Sequence, residues 1–276
     1  MKFGNNCFLA AICLLSTIVC ASPSRAAEEI VISGSTTVLP VMQKAGEAFM
    51  AVHPEISLAI SGGGSGSGIK ALNEGLCHVA MSSRDIKESE VEQGKSKGVN
   101  AVCTPVAVDA LVPVVHPENP VQGLTSAQLR DIYTGKITNW KELGGKDSTI
   151  VVVSRDSSSG TYETWAETIM QKEKVAASAL VQASNGAVVQ AVSKNRRAIG
   201  YIGFGYLNAT VKKLDVDGIE ATAQTALSKT WPIARELYLF TNGEPAGAVE
   251  KLMVFLLDPK KGQKAVAETG FIPLQK

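Results

Sequence analysis

Three times along this chain a short β-rich run gives way, through a loop dense in glycine, serine and threonine, to a segment of helical period. The loops are Ser33-Gly34-Ser35-Thr36-Thr37, Ser61-Gly62-Gly63-Gly64-Ser65-Gly66-Ser67-Gly68 and Ser154-Arg155-Asp156-Ser157-Ser158-Ser159-Gly160-Thr161. A strand that runs straight into a helix must return by a crossover, which pairs strands in parallel and covers the sheet with helices. The rest of the chain keeps that alternation. Strands are expected at Glu29–Ser33, Ile56–Ile60, His78–Ser82, Val102–Val115, Ile150–Val153, Ala198–Ile202 and Glu236–Thr241. Apolar residues from Val38 to Val52 repeat at helical spacing, and His53-Pro54 stops that helix. Further helices are expected at Ile69–Asn73, from Ser126 to Tyr133 with a stop at Gly135, through Trp165 and Ile169, and over Ala187–Ser193, Ala246–Leu257 and Lys260–Glu268. The order argues an α/β class with largely parallel sheets, and the chain shows no internal repeat and no long linker.

Loops of this kind do chemistry as well as turn the chain. A helix N-terminus exposes unpaired N–H groups and about half a positive charge. Glycine lets a ligand approach the backbone, and hydroxyls add neutral donors. Together they form a cradle for a small anion. Ordinary capping by Ser and Thr explains one such loop equally well. Three in one chain, one of them carrying Arg155, favour the anion. Catalytic signatures do not fit. Ile69 follows Gly68 where a P-loop needs lysine, and no register gives G-x-G-x-x-G. Ser67-Gly68-Ile69-Lys70 matches S-x-x-K, but S-D-N is absent and Trp231 follows Lys229-Thr230. A cradle without a nucleophile–base pair reads as binding without reaction, so no catalytic residue is expected.

The N-terminus reads as an address. Lys2 precedes the largely apolar stretch Phe8–Ala21, and Ser24-Arg25-Ala26 offers small residues at −3 and −1 of a cleavage site. Residues 1–26 are therefore expected to be a secretory signal, with the mature protein periplasmic or secreted. Lipid anchoring at Cys20 is the alternative, with Ile18-Val19 a poor approach to it. Losing Lys2 and Arg25 leaves 25 basic against 26 acidic residues, net −1. With aromatics at 5%, neither a basic field nor a stacking surface suggests nucleic acid. Cys77 and Cys103 would remain, able to form one disulfide or to stay as buried thiols on neighbouring strands. His53, His78 and His116 lie far apart, so no sequence-local metal motif is present and neither metal nor cofactor is expected.

Several short segments together resemble the solute-binding proteins of phosphate-specific ABC importers. They are Ile32-Ser33-Gly34-Ser35-Thr36-Thr37-Val38-Leu39-Pro40, Gly62–Ile69, Ala80-Met81-Ser82-Ser83-Arg84, Ile132-Tyr133-Thr134-Gly135 with Ile137-Thr138-Asn139-Trp140, Arg155 with Ser159-Gly160-Thr161, Ala198-Ile199-Gly200-Tyr201, and Gly270-Phe271-Ile272-Pro273-Leu274. The resemblance implies the two-lobed periplasmic binding protein type II fold, each lobe a mixed or mostly parallel sheet flanked by helices, joined by hinge strands that cross near Val106–Val114 and Ala234–Phe240. Lobe 1 would hold residues 27–108 and 236–276, and lobe 2 residues 109–235. It also implies inorganic phosphate as ligand, the membrane subunits of an ABC importer as partner, and a monomer. The implied phosphate contacts are Ser35, Thr36, Thr37, Ser65, Ser83, Arg84, Arg155, Ser159, Gly160 and Thr161, with backbone amides of Val38 or Leu39 as alternatives in the first loop. Ser83 stands where the best-known pattern has an aspartate that takes the proton of hydrogen phosphate, and Arg84 would add a second cation or pair with Asp85 or Glu88 at the surface. Sulfate or arsenate in the same fold is the first alternative. A secreted serine-dependent hydrolase or phosphatase using Ser67 or Ser159 is the second.

Overall fold

The longest strand organises the molecule. In the computed structural model, which describes Met1 and residues 27–274, the element order is β1 (Glu28–Gly34), α1 (Leu39–Val52), β2 (Ile56–Gly62), α2 (Ser65–Asn73), β3 (Val79–Ser82), α3 (Glu88–Ser96) and β4 (Ala101–Val115). Then come β5 (Gly123–Leu124), α4 (Ser126–Thr134), β6 (Val151–Arg155), α5 (Gly160–Thr168), β7 (Leu180–Gln182), α6 (Asn185–Ser193) and β8 (Ala198–Gly203). The last elements are β9 (Lys212–Lys213), β10 (Asp215–Val216), α7 (Ala223–Leu227), β11 (Ala234–Asn242), α8 (Gly247–Leu257) and α9 (Gly262–Glu268). The expected signal segment and Cys20 lie outside the described residues.

The main sheet runs β2-β1-β3-β11-β4-β8-β6-β7, with β9 also on β4, and β10 pairs with β5 apart from it. It is mixed in a definite way. The β1–β2, β1–β3, β6–β7 and β6–β8 pairs are parallel, as strand–loop–helix units require. Every antiparallel pairing of the main sheet involves β4 or β11. Along β4, residues 101–110 pair with β11 and 111–115 pair with β8. One strand thus joins two half-sheets, and β11 meets the second half only at its start, where Leu111 N–H donates to the Ile233 carbonyl.

Each half-sheet has its own core. Ile30, Ile32, Phe49, Met81, Leu237 and Phe255 belong to one. Val112, Tyr133, Trp140, Trp165, Tyr201 and Trp231 belong to the other. The cores change over between Ala107 and Ala110 on β4, and between Ile233 and Leu237 around the start of β11. Trp165 stacks on Tyr201 with ring centroids 4.4 Å apart.

Local chemistry explains the boundaries. Thr125 and Gln128 form a reciprocal capping box for α4, and Gly135, with φ of 82°, ends it in the left-handed conformation. Helix α2 starts at Ser65, four residues before the expected start at Ile69. Its Ser-Gly-Ser-Gly turn is poor by propensity, but a Cβ on Gly68 would come within 2.6 Å of the Gly34 Cα, so close packing against β1 needs this composition. Helix α3 was not expected, because its only buried residue is Gly94 and periodicity has nothing to register. Cys77 and Cys103 are both free, the first buried and the second exposed. This corrects both expectations for the pair: β11 lies between β3 and β4, so the thiols do not sit on neighbouring strands. Among the described residues, no helix is long and apolar enough to cross a membrane.

Candidate functional site

Helices α1, α2, α5 and α6 begin next to one another, although α1 and α2 flank the first half-sheet and α5 and α6 the second. Oγ of Ser65 and Oγ of Ser83 are 3.3 Å apart, and the Ser83 amide donates to Ser65 Oγ at 3.0 Å. Gly160 lies against that pair: a Cβ there would fall 2.3 Å from Ser65 Oγ, so no other residue fits without movement. Thr37 Oγ1 and Thr161 Oγ1 are 2.9 Å apart. The Asn185 amide reaches Thr37 Oγ1 at 3.0 Å and Thr36 Oγ1 at 3.4 Å. The Gly66 amide donates to the Ser158 carbonyl, and Ser158 Oγ, which gives its proton to Asp156 over a shorter distance, lies 3.1 Å from the Gly63 carbonyl. The two halves therefore meet through hydrogen bonds between their loops.

Nine of the ten expected contacts carry side chains, and all nine are buried together with Gly160. Their roles differ. Ser35 Oγ accepts the amides of Thr37 and Val38, and the Ser35 carbonyl accepts that of Leu39. The alternative backbone donors Val38 and Leu39 are thus already engaged, and Ser35 works as a helix cap. Ser159 likewise caps α5 by accepting the Tyr162 amide. The amides of Gly160 and Thr161, first in α5, have no acceptor inside the helix, and the α-carbon of Gly160 lies against the Ser65–Ser83 pair.

The two arginines behave differently. Arg155 Nε donates to the Gln182 carbonyl and Nη2 to that of Ala183, at 2.9 and 3.0 Å. Its Nη1 is buried without a partner. Burial presses the Arg155 pKa down, with only partial relief from Asp156. A sealed guanidinium with an idle arm is a demand for an anion. Arg84 is the correction. Nη1 and Nη2 donate to the two Glu90 oxygens at 2.8 and 2.7 Å, Nη1 also donates to the Asp85 carbonyl, and Nε lies 2.8 Å from Glu163 Oε2 in a contact of charges. Neither an exposed pairing with the Asp85 or Glu88 carboxylate nor a free second cation is found, because two carboxylates already neutralise it.

Ser67 and Lys70 of the S-x-x-K match are exposed on α2, and Lys70 pairs with Glu74. Asn185, Ser158, Glu163, Asp109 and Arg235 escaped the sequence reading. Asp109 gave a signal, being one acid within the apolar run Val102–Val115; its partner lies 126 residues on. A cleft of about 840 Å³ opens beside the cluster, bordered by Lys87, Glu163, Trp231, Arg235 and Tyr238.

Comparison with known proteins finds a family and several relatives for the chain. The family model described as "PBP superfamily domain" matches residues 21–260. The chain is 32% identical to the phosphate-binding protein PstS of Bacillus subtilis, over 91% of this chain and 82% of that protein. It is 31% identical to PstS of Borreliella burgdorferi, over 90% and 91%. Among solved structures, a putative phosphate ABC transporter substrate-binding protein from Clostridium perfringens with bound phosphate superposes with a TM-score of 0.84 and 37% identity, over 90% of this chain and all of that one. An ABC-type phosphate transport receptor from Vibrio cholerae gives 0.73 and 33%, over 89% and 100%.

Proposed function

The chain belongs to the PBP superfamily, and on that premise we propose that it captures inorganic phosphate between its two lobes and hands it to the membrane subunits of an ABC importer. The observation that carries the reading is the idle Nη1 of Arg155 beside converging helix N-termini, since such an array is complete only with a small anion bound. The lobes are residues 27–108 with 236–276, and 109–235. A signal over 1–26 would deliver a monomer outside the cytoplasmic membrane, where it binds without catalysing a reaction.

Capture follows from the geometry. Lobe 1 supplies Thr36, Thr37, Ser65 and Ser83, and lobe 2 supplies Arg155, Ser159, Gly160 and Thr161. An anion touching both sets binds the closed form more tightly than the open one, and only that difference can shift the equilibrium. The direct bond from the Gly66 amide to the Ser158 carbonyl then adds to closure. Importer subunits that recognise the closed form receive loaded protein only. Micromolar affinity needs about 8 kcal/mol. Eight to ten charge-assisted hydrogen bonds supply roughly 12–15 kcal/mol before desolvation and closure are subtracted. Ser83 can accept a ligand proton while donating its own elsewhere, so the proton of hydrogen phosphate has a place there; unlike a carboxylate, the same hydroxyl can also turn and donate to sulfate.

Calorimetry of the mature protein with phosphate, arsenate and sulfate tests the proposal. Tight binding of phosphate is expected, and its ratio to sulfate and arsenate measures how far Ser83 discriminates. No heat with phosphate would overturn it.

A further inference from the structure

The Thr37–Thr161 pair permits a count of protons. Two hydroxyls bring two protons, and the bond between them, 2.9 Å long, uses one. Asn185 Nδ2 occupies a lone pair on Thr37. Its orientation is set by its other end, because Asn185 Oδ1 accepts the Gly203 amide at 3.2 Å, so the NH2 side must face the threonines. Arg235 Nη2 occupies a lone pair on Thr161 at 3.0 Å, and an arginine can only donate. Both outside neighbours are therefore donors. Whichever threonine gives its proton to the other, it keeps one free lone pair, one proton of the pair is left over, and no acceptor for that proton is found among the described residues.

Arg235 is fixed for this task. Nε and Nη2 both donate to Asp109 Oδ2, at 3.0 and 2.7 Å, and the Asp109 side chain is fully buried. Asp109 Oδ1 accepts the Phe204 amide at 2.8 Å. Arg235 and Asp109 are register partners on β11 and β4, the strands at which the lobes join. The ion pair thus sits at the junction, and its one remaining Nη2 proton enters the site through Thr161.

We propose that Arg235, clamped by Asp109, is a positioning residue that orients the Thr161–Thr37 hydroxyls so that their spare proton is an obligate donor to the bound anion. This rests on the phosphate reading and adds a specificity rule. That corner of the site accepts only an unprotonated ligand oxygen, which leaves the Ser65–Ser83 side as the place for the proton of hydrogen phosphate. Without Arg235, a freed lone pair lets the threonines turn and accept a ligand proton instead.

The test is a double-mutant cycle read by phosphate calorimetry on the mature protein. Arg235→Met and Thr37→Val are each expected to weaken binding about tenfold, the loss of one hydrogen bond to a charged group. Together they should be barely worse than either alone, because both release the Thr161 hydroxyl from the orientation in which it donates to the anion. Across the second ionisation of phosphate, the preference of the wild type for the less protonated form should flatten in Arg235→Met. If a melting curve shows Arg235→Met unfolded, Asp109→Asn with Arg235→Met removes the unpaired buried charge, keeps an acceptor for Phe204, and takes its place in the cycle. Additive losses, or an unchanged pH profile, would overturn the inference. Absence of phosphate binding by the wild type would instead remove the functional reading beneath it.

Discussion

Arg84 and Arg155 make an instructive pair of regions. Each stands at or just beyond the carboxyl end of a strand, in a loop that reaches the site, and each is nearly sealed from water. Burial lowers both pKa values. For Arg84 the hydrogen bond to Glu90 and the charges of Glu163 and Glu90 more than reverse it, and the net shift is upward. For Arg155 the partners are carbonyls and a more distant Asp156, and the net shift is downward. The difference teaches that a buried guanidinium acts according to the charges already around it. Arg84 is neutral in company and joins lobe 1 to α5 of lobe 2 through Glu163, where Lys87 adds a second contact at 2.6 Å. Arg155 holds an unspent positive charge where an anion would sit.

Substituting each arginine is the sharpest way to break this contrast. Arg155→Met removes two charge-assisted donors from the anion and is expected to weaken phosphate binding about a hundredfold by calorimetry. Wild-type affinity would take Arg155 out of the site. Arg84→Met should cost about tenfold or less, since it unlatches the lobes and leaves carboxylate charge near the cleft without touching the ligand. Adding Glu163→Gln to it should recover part of that loss. A loss as large as that of Arg155→Met would place Arg84 on the anion after all.

The same contrast explains what could be read in advance. Strand–loop–helix order, the three loops and the residues at their helix starts were legible because hydrophobic period and Gly/Ser composition are local properties. Arg155 was legible for the same reason. The fate of Arg84 was not: Glu90 is six residues away, within a helix too polar to show a period, and Glu163 lies in the other lobe. Asn185 and Arg235 were hidden likewise, since their partners Thr37 and Asp109 are 148 and 126 residues distant. The mixed character of the sheet came from β4 and β11, whose length is visible but whose direction depends on who pairs with them.

A smaller effect separates the support of Arg155 from its charge. Tyr201 Oη accepts the Arg155 amide at 3.1 Å and shares a 2.9 Å hydrogen bond with Ser154 Oγ. Tyr201→Phe keeps the stack on Trp165 but leaves a buried amide and a hydroxyl unpaired. Denaturant unfolding should show a loss of about 1–3 kcal/mol, while phosphate affinity falls only about threefold. A hundredfold loss of affinity would mean that the Arg155 backbone, not its guanidinium alone, carries the contrast with Arg84.

The smallest effect is on alkaline stability, and its tyrosine part tests whether lobe 2 is as dry around Arg155 as its lowered pKa implies. Burial pushes Tyr201 and Tyr206 from 10.0 up to about 12 and Cys77 from 9.0 up to about 11. Each is neutral when protonated, so the folded state holds these protons more tightly than the unfolded chain does. Their contribution is complete below about pH 9, the unfolded thiol value, and is lost as pH rises through the folded values. Unfolding free energy should therefore be flat on their account at neutral pH and decline between about pH 9 and 12. Tyr201→Phe removes one of these protons, so its decline should be shallower than that of the wild type above pH 10.0, the unfolded tyrosine value. An equal slope would mean that water reaches Tyr201, and a wet wall beside Arg155 would erase the reason it differs from Arg84.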